Sequence, residues 1–111
     1  MPQFTLVAWS NPVEGEDEEF GAWYDQTHLR DMLGVPGFKT AQRFRLLKLA
    51  PSKLLQQRYL CIYEFEADDE EHAAAVIKRL NAHDLPLSDK IDVSSVALGV
   101  YEATGPALVK E

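Results

Sequence analysis

Residues Phe20–Phe38 read FGAWYDQTHLRDMLGVPGF, and the rest of the chain is organised around them. Phe20, Trp23, Tyr24 and Thr27 recur at helical spacing, which predicts one helix face. Tyr24 and His28 are four apart, so their side chains meet on adjacent turns. Beyond His28 the apolar stripe moves to Leu29, Met32 and Leu33, a different face. That jump predicts a helix that bends or restarts near His28. An interrupted helix frees backbone groups from their intrahelical partners, and such breaks often border cavities. The turn Val35-Pro36-Gly37 closes the segment.

Upstream, Gln3–Ser10 is rich in strand formers and reads as a central strand buried on both faces, ended by Asn11-Pro12. The helix is expected from about Glu16 to Leu33, with Gly34 at its C-cap. Gly21 weakens it by roughly 1 kcal/mol against alanine, a cost that a close approach to a sheet or ligand would explain. Downstream, Phe38–Leu49 forms a second strand, with Phe44 and Leu46 on one face and Ala41, Arg43, Arg45 and Leu47 on the other. A polar connection starts at Pro51-Ser52 and ends at Gln57. Arg58–Glu66 is a third strand with Tyr59, Cys61, Tyr63 and Phe65 on one side. Asp68, with Glu71 as its capping-box partner, starts a second helix with the buried stripe Ala73, Val76, Ile77 and Leu80. His83-Asp84-Leu85-Pro86 ends it, and Ile91–Tyr101 is the fourth strand.

The order β-α-β-β-α-β over residues 1–111 predicts a single α+β, ferredoxin-like domain: a four-stranded antiparallel sheet with two helices on one face. The strands carry large apolar residues on both sides, and no third helix remains to cover the second face. A second copy of the chain, sheet against sheet, would cover it as a twofold homodimer.

The charge balance narrows the partners. With a net charge of −7, the chain lacks the basic face that nucleic acid or an anionic membrane demands. No apolar run approaches the roughly 20 residues that span a bilayer, and the N-terminus reads as a strand and not as a signal peptide. The single cysteine, Cys61, excludes an internal disulfide and fits a reducing, cytoplasmic setting. The acidic runs Glu14–Glu19 and Glu64–Glu71 lie at helix starts, where carboxylates complement the helix dipole. Neither has metal-ligand spacing, so no metal or other cofactor is expected.

His28 is the candidate general acid or base, since imidazole titrates near neutral pH. The competing reading is a helix-end histidine bonded to a freed carbonyl. Tyr24 is the second catalytic candidate, able to donate its phenol to a substrate carbonyl or to His28; otherwise it is a half-buried aromatic with a wet tip. Trp23, Trp9, Phe20 and Tyr63 are the aromatic substrate-binding candidates. Asp25 and Asp31 flank His28 at i−3 and i+3 and could orient its ring, or pair with Arg30 or Arg43. Arg43 would bind a substrate carboxylate or close a dimer salt bridge if it faces inward; a structural pair with Glu64 or with an acid on the first helix is the favoured reading. His72 and His83 sit on polar stretches as surface residues. No spacing suggests a hydrolase triad or a phosphate loop.

Phe20, Trp23, Tyr24, Asp25, His28, Leu29, Asp31, Leu33, Pro36, Gly37 and Phe38, followed by Ala41–Phe44, form a pattern that resembles the EthD-like group of the dimeric α+β barrel superfamily. Tyr59–Asp69 is similar to the third strand and helix start of the same group, so the resemblance covers nearly the whole chain. It implies the fold, the dimer, a pocket between helices and sheet in each protomer, and a role at that pocket for the histidine matched by His28. The superfamily holds cofactor-free monooxygenases, polyketide cyclases, dehydratases and haem enzymes, and EthD-like proteins accompany catabolic enzymes for ethers and aromatic compounds. Three readings follow. The first is a cofactor-independent lyase, cyclase or isomerase for an aromatic or polyketide-like compound. The second is a cofactor-free or haem-linked monooxygenase, for which His72, at an acidic helix start, suits haem poorly. The third is a non-catalytic accessory protein that binds a hydrophobic catabolite. An imidazole facing a cavity favours chemistry; one tied to backbone favours structure.

Overall fold

The computed structural model describes residues 3–50 and 55–111, so the start of the polar connection at Pro51-Ser52 lies outside the described residues. Strand β1 spans Gln3–Pro12, and a helical rod follows as α1 (Asp17–Trp23), a wide turn (Tyr24–His28) and α2 (Leu29–Leu33). Strands β2 (Phe38–Arg45) and β3 (Tyr59–Glu66), helix α3 (Glu70–Ala82) and strand β4 (Ile91–Glu102) complete the chain. The sheet order is β2-β3-β1-β4, with every neighbouring pair antiparallel. This is the expected ferredoxin-like sheet. No helix among the described residues is long and apolar enough to cross a membrane.

Alternation along the strands sets the core. Phe4, Leu6 and Ser10 of β1 lie opposite Phe65, Tyr63 and Tyr59 of β3 in the register. That puts both sets on one face of the sheet, and Phe20 joins them from above with its ring 5.4 Å from that of Tyr59. Tyr63, Phe20, Phe65, Val35 and Cys61 are the largest fully buried side chains. Burying each large apolar side chain contributes about 1.5–3 kcal/mol. Strand β1 is central, as expected, but its second face is only half-buried: Val7 and Trp9 keep partial exposure while Phe4 and Leu6 are sealed. Among the described residues no helix covers that side of the sheet; only the β2–β3 connection, through Leu47 and Leu55, borders Trp9, Phe44 and Leu60 at one end of it.

Several boundaries depart from the sequence reading. Strand β2 stops at Arg45 and not Leu49: β3 begins only at Tyr59, and after one last backbone bond, from the Leu46 N–H to the Arg58 carbonyl at 2.7 Å, the two chains part; Leu47 and Leu49 are exposed. The cap of α3 is Asp69 and not Asp68. Asp69 accepts from the His72 backbone amide at 2.8 Å, and the His72 Nδ1 accepts from the Asp68 amide at 2.9 Å. His72 thus takes the reciprocal part expected of Glu71. Leu33, placed in the buried stripe, is exposed, whereas Met32 and Val35 are in the core.

Two glycines allow close approaches. Gly37 has φ +103°, a left-handed backbone that side chains resist, and a Cβ there would come within 3.3 Å of Val76 on α3. Gly21 faces the sheet: a Cβ would meet the Arg43 guanidinium at 3.0 Å.

Candidate functional site

The break expected near His28 is a single wide turn. The backbone N–H of Leu29 bonds the carbonyl of Tyr24, five residues back, where a regular helix closes over four. One extra residue is thereby accommodated between the stripe that holds Phe20 and Tyr24 and the one that holds Met32. The wide turn carries His28 and Tyr24 together, their rings edge to face at 5.3 Å. On its other side the His28 ring stacks on Trp23 at 4.5 Å and 19°.

Below this turn lies a cavity of ≈ 320 Å³, open on one side. It sits where the helices leave the β1–β4 edge of the sheet uncovered: Leu98 and Val96 of β4 face it while remaining exposed. His28, Tyr24, Trp9 and Tyr63 all line it, with Ser10 of β1 and the segment after α3, from Asp84 to Leu87. Asp84 holds φ +48°, a backbone region uncommon outside glycine, as the chain leaves α3. Phe20, Trp23 and Arg43, the other three candidates, are not part of the lining. Phe20 is wholly buried core. Trp23 backs the His28 ring. Arg43 lies under α1, its guanidinium over the Tyr59 ring at 5.3 Å and its Nε 3.5 Å from the Asp25 carboxylate. This is the favoured structural pair with an acid on the first helix; Glu64 is held instead by Gln3 and Thr40.

Burial sets the protonation of the wall. His28 Nδ1 is buried with no hydrogen-bond partner among the described residues, so that nitrogen is not tied to a helix carbonyl. His83 is the contrasting case, its Nδ1 donating to the Arg79 carbonyl at 2.9 Å. Desolvation lowers the His28 pKa below its usual 6.5, partly opposed by the negative charge of Asp31. The imidazole is therefore neutral near pH 7 and has a free lone pair to accept a proton. Burial pushes the Tyr24 phenol up to about 12, although Ser10 bonds it at 3.4 Å. Burial raises Cys61 to about 11, which makes it an inert thiol and not a nucleophile. Tyr63 is raised further, again by burial, and its hydroxyl has no partner among the described residues. No cluster of three or more potential metal ligands occurs among the described residues.

Ser10 and the Asp84–Leu87 segment were missed in the sequence. Ser10 was read as the last residue of a strand, with nothing to mark it as a cavity residue; the Asp84-Leu85-Pro86 turn carried a signal, but only as a helix stop.

A sheet of this order with both helices on one face and a cavity beneath a broken helix defines a ferredoxin-like α+β protein. No protein-family profile matches the chain, and no curated protein matches its sequence. Solved structures do match. A candidate monooxygenase from Shewanella loihica PV-4 is similar at TM-score 0.58 and 13% identity, over 96% of this chain and 99% of that one. An ethyl tert-butyl ether D (EthD) family protein from Bacillus halodurans C-125 is similar at TM-score 0.56 and 17% identity, over 94% and 100%. A protein of Arabidopsis thaliana is similar at TM-score 0.53 and 13% identity, over 96% and 99%. The chain therefore shares its fold, from end to end, with an EthD family protein, in agreement with the resemblance read from its first helix.

Proposed function

We propose that the chain binds a small aromatic or polyketide-like molecule in the cavity and that His28 exchanges a proton with it, as in a cofactor-independent lyase, cyclase or isomerase. The observation that carries this reading is a neutral imidazole, lacking a backbone anchor at Nδ1, at the edge of an apolar cavity. Such a base removes a proton from an acidic carbon or phenol, a contribution of roughly 100- to 10,000-fold. The Trp23 face fixes the ring plane. Tyr24, with its hydroxyl on Ser10 and its phenol pKa raised, keeps its proton and does not act as an acid. The experiment is a screen of small phenols and aryl ketones for consumption, followed by proton exchange with deuterated water at the position alpha to the carbonyl. Binding without exchange or turnover would favour the accessory role instead.

The description of the Shewanella neighbour as a candidate monooxygenase supports a second reading, cofactor-free oxygenation. Removal of the same proton by His28 would be its first step. Oxygen uptake during turnover distinguishes it from the lyase or isomerase reading.

We further propose that the working unit is a homodimer joined through the uncovered sheet face. On that face Val7 lies beside Ile62 and Trp9 beside Leu60, with Phe44 next to Leu60 on β2. Phe44 is 39% exposed and Tyr101 53%, an apolar band that monomeric proteins seldom leave in water. Size-exclusion chromatography with light scattering at micromolar concentration is expected to give twice the 12.5 kDa chain mass; a clean monomer would refute the assembly.

A further inference from the structure

The wall of the cavity is informative about charge. Among the described residues that line it, Asp84 is the one ionised side chain and none is a lysine or arginine. Arg43 is committed to Asp25 and the Tyr59 ring beneath α1. A carboxylate or phosphate brought into this space would lose its water and meet no compensating charge. The uncharged polar groups of the wall are the His28 imidazole, the Asn81 amide and the hydroxyls of Ser10, Tyr24 and Tyr63. Ser10 and Tyr24 bond each other at 3.4 Å, leaving Tyr63 as the buried hydroxyl of the wall without a partner. Tyr63 is only 2% exposed, fixed in β3 between Leu6 and Ala41 in the register, so its phenol cannot swing out to find water. The neighbouring Cys61 thiol is at best a weak acceptor. A buried donor left unpaired is costly, and native proteins rarely tolerate one without a use for it. With its pKa raised by burial, the phenol keeps its proton and can only gain by donating it to an acceptor.

We infer that the cavity selects an uncharged molecule carrying a carbonyl oxygen, and that Tyr63 is the specificity-determining residue that donates a hydrogen bond to that oxygen. This rests on the reading of the cavity as a ligand site and adds what that ligand carries. The volume suits a two-ring molecule, whose apolar body would lie against Met32, Leu85 and Leu98 while its oxygen faces the hydroxyls of β1 and β3.

Three naphthalenes of equal size test this: 2-acetonaphthone (a neutral ketone), 2-ethylnaphthalene (no oxygen) and 2-naphthoate (a carboxylate). Quenching of Trp23, which stacks on the lining residue His28, reports their binding. The wild-type protein is expected to bind the ketone about tenfold more tightly than the hydrocarbon, and more tightly still than the carboxylate. Tyr63→Phe is expected to remove the preference for the ketone and leave hydrocarbon affinity unchanged, which also shows that the variant is folded. A preference that survives in Tyr63→Phe, or a carboxylate that binds as well as the ketone, overturns the inference. So does equal wild-type affinity for ketone and hydrocarbon, whatever the variant does; in that case the cavity still binds ligands and only the part given to Tyr63 fails. If none of the three binds, the ligand-site reading fails and the inference with it.

Discussion

Replacing His28 with alanine is expected to lower turnover of an aromatic substrate by roughly 100-fold or more while leaving the protein folded. The first effect follows from loss of the proton acceptor at the cavity. The second follows from what the ring touches: one face rests on Trp23 and Nδ1 makes no hydrogen bond, so removal breaks no bonded network. The stability change should stay near 1 kcal/mol, a few degrees in melting point. Tyr24→Phe should cost less, since it deletes one long hydrogen bond and keeps the ring. The pH profile carries a sign. Burial holds the His28 pKa below 6.5, so the neutral base persists to lower pH than a free imidazole would, and activity declines only on the acid side of 6.5. Stability moves the same way. Between the lowered folded value and the unfolded value the folded state binds fewer protons, so stability is present above about 6.5 and is lost as pH falls through the folded pKa. If His28→Ala unfolds the protein while activity per folded molecule survives, the histidine is structural and the catalytic reading is wrong.

Phe20→Ala is expected to be the most destabilising of the site substitutions, at about 3–5 kcal/mol. Phe20 has no exposed surface and packs edge-on against Tyr24 at 5.0 Å and tilted on Tyr59 at 5.4 Å. Truncation leaves a void beneath α1 that Gly21, beside it, has no side chain to fill. A domain of this size has about 5–15 kcal/mol of stability in total, so urea or thermal unfolding followed by circular dichroism should show a loss of roughly 15 °C or more. Phe20→Leu should cost about 1 kcal/mol. A small stability change with abolished ligand binding would return Phe20 to the site and contradict its place in the core.

The two substitutions also show what spacing could and could not convey. The pairing of Tyr24 with His28 was legible because contacts four residues apart depend on local geometry alone. So was the buried face of β3, since Tyr59, Cys61, Tyr63 and Phe65 alternate without exception. The position along a face was not legible. Phe20 and Tyr24 share one helical stripe, yet Phe20 sits over Tyr59 while Tyr24 reaches the gap beside β4; that difference depends on where two helices lie over the sheet. Arg43 was ambiguous for the same reason: its strand face followed from parity, but the helix carboxylate above it came from the three-dimensional packing. Ser10 and Asp84 reach the cavity through the register of β1 and β4 and the exit path of α3, both long-range properties.

The five-residue turn at Tyr24–His28 is also a change of phase. Each residue of an α-helix advances the side chains by about 100°, so the added residue rotates everything after it relative to everything before. Upstream, the rod is keyed to the sheet by Phe20 and Gly21; downstream, it is keyed by Met32 and Val35. Neither half can be brought into the other's setting without removing a residue between them. Loss of one residue from Asp25-Gln26-Thr27, all exposed, would restore a uniform helical period at no cost in buried side chains. It would nevertheless turn either His28 or Met32 away from its station. The sequence length between Tyr24 and Met32 is thus a constraint in its own right: substitutions there can be absorbed at the surface, whereas a single insertion or deletion cannot.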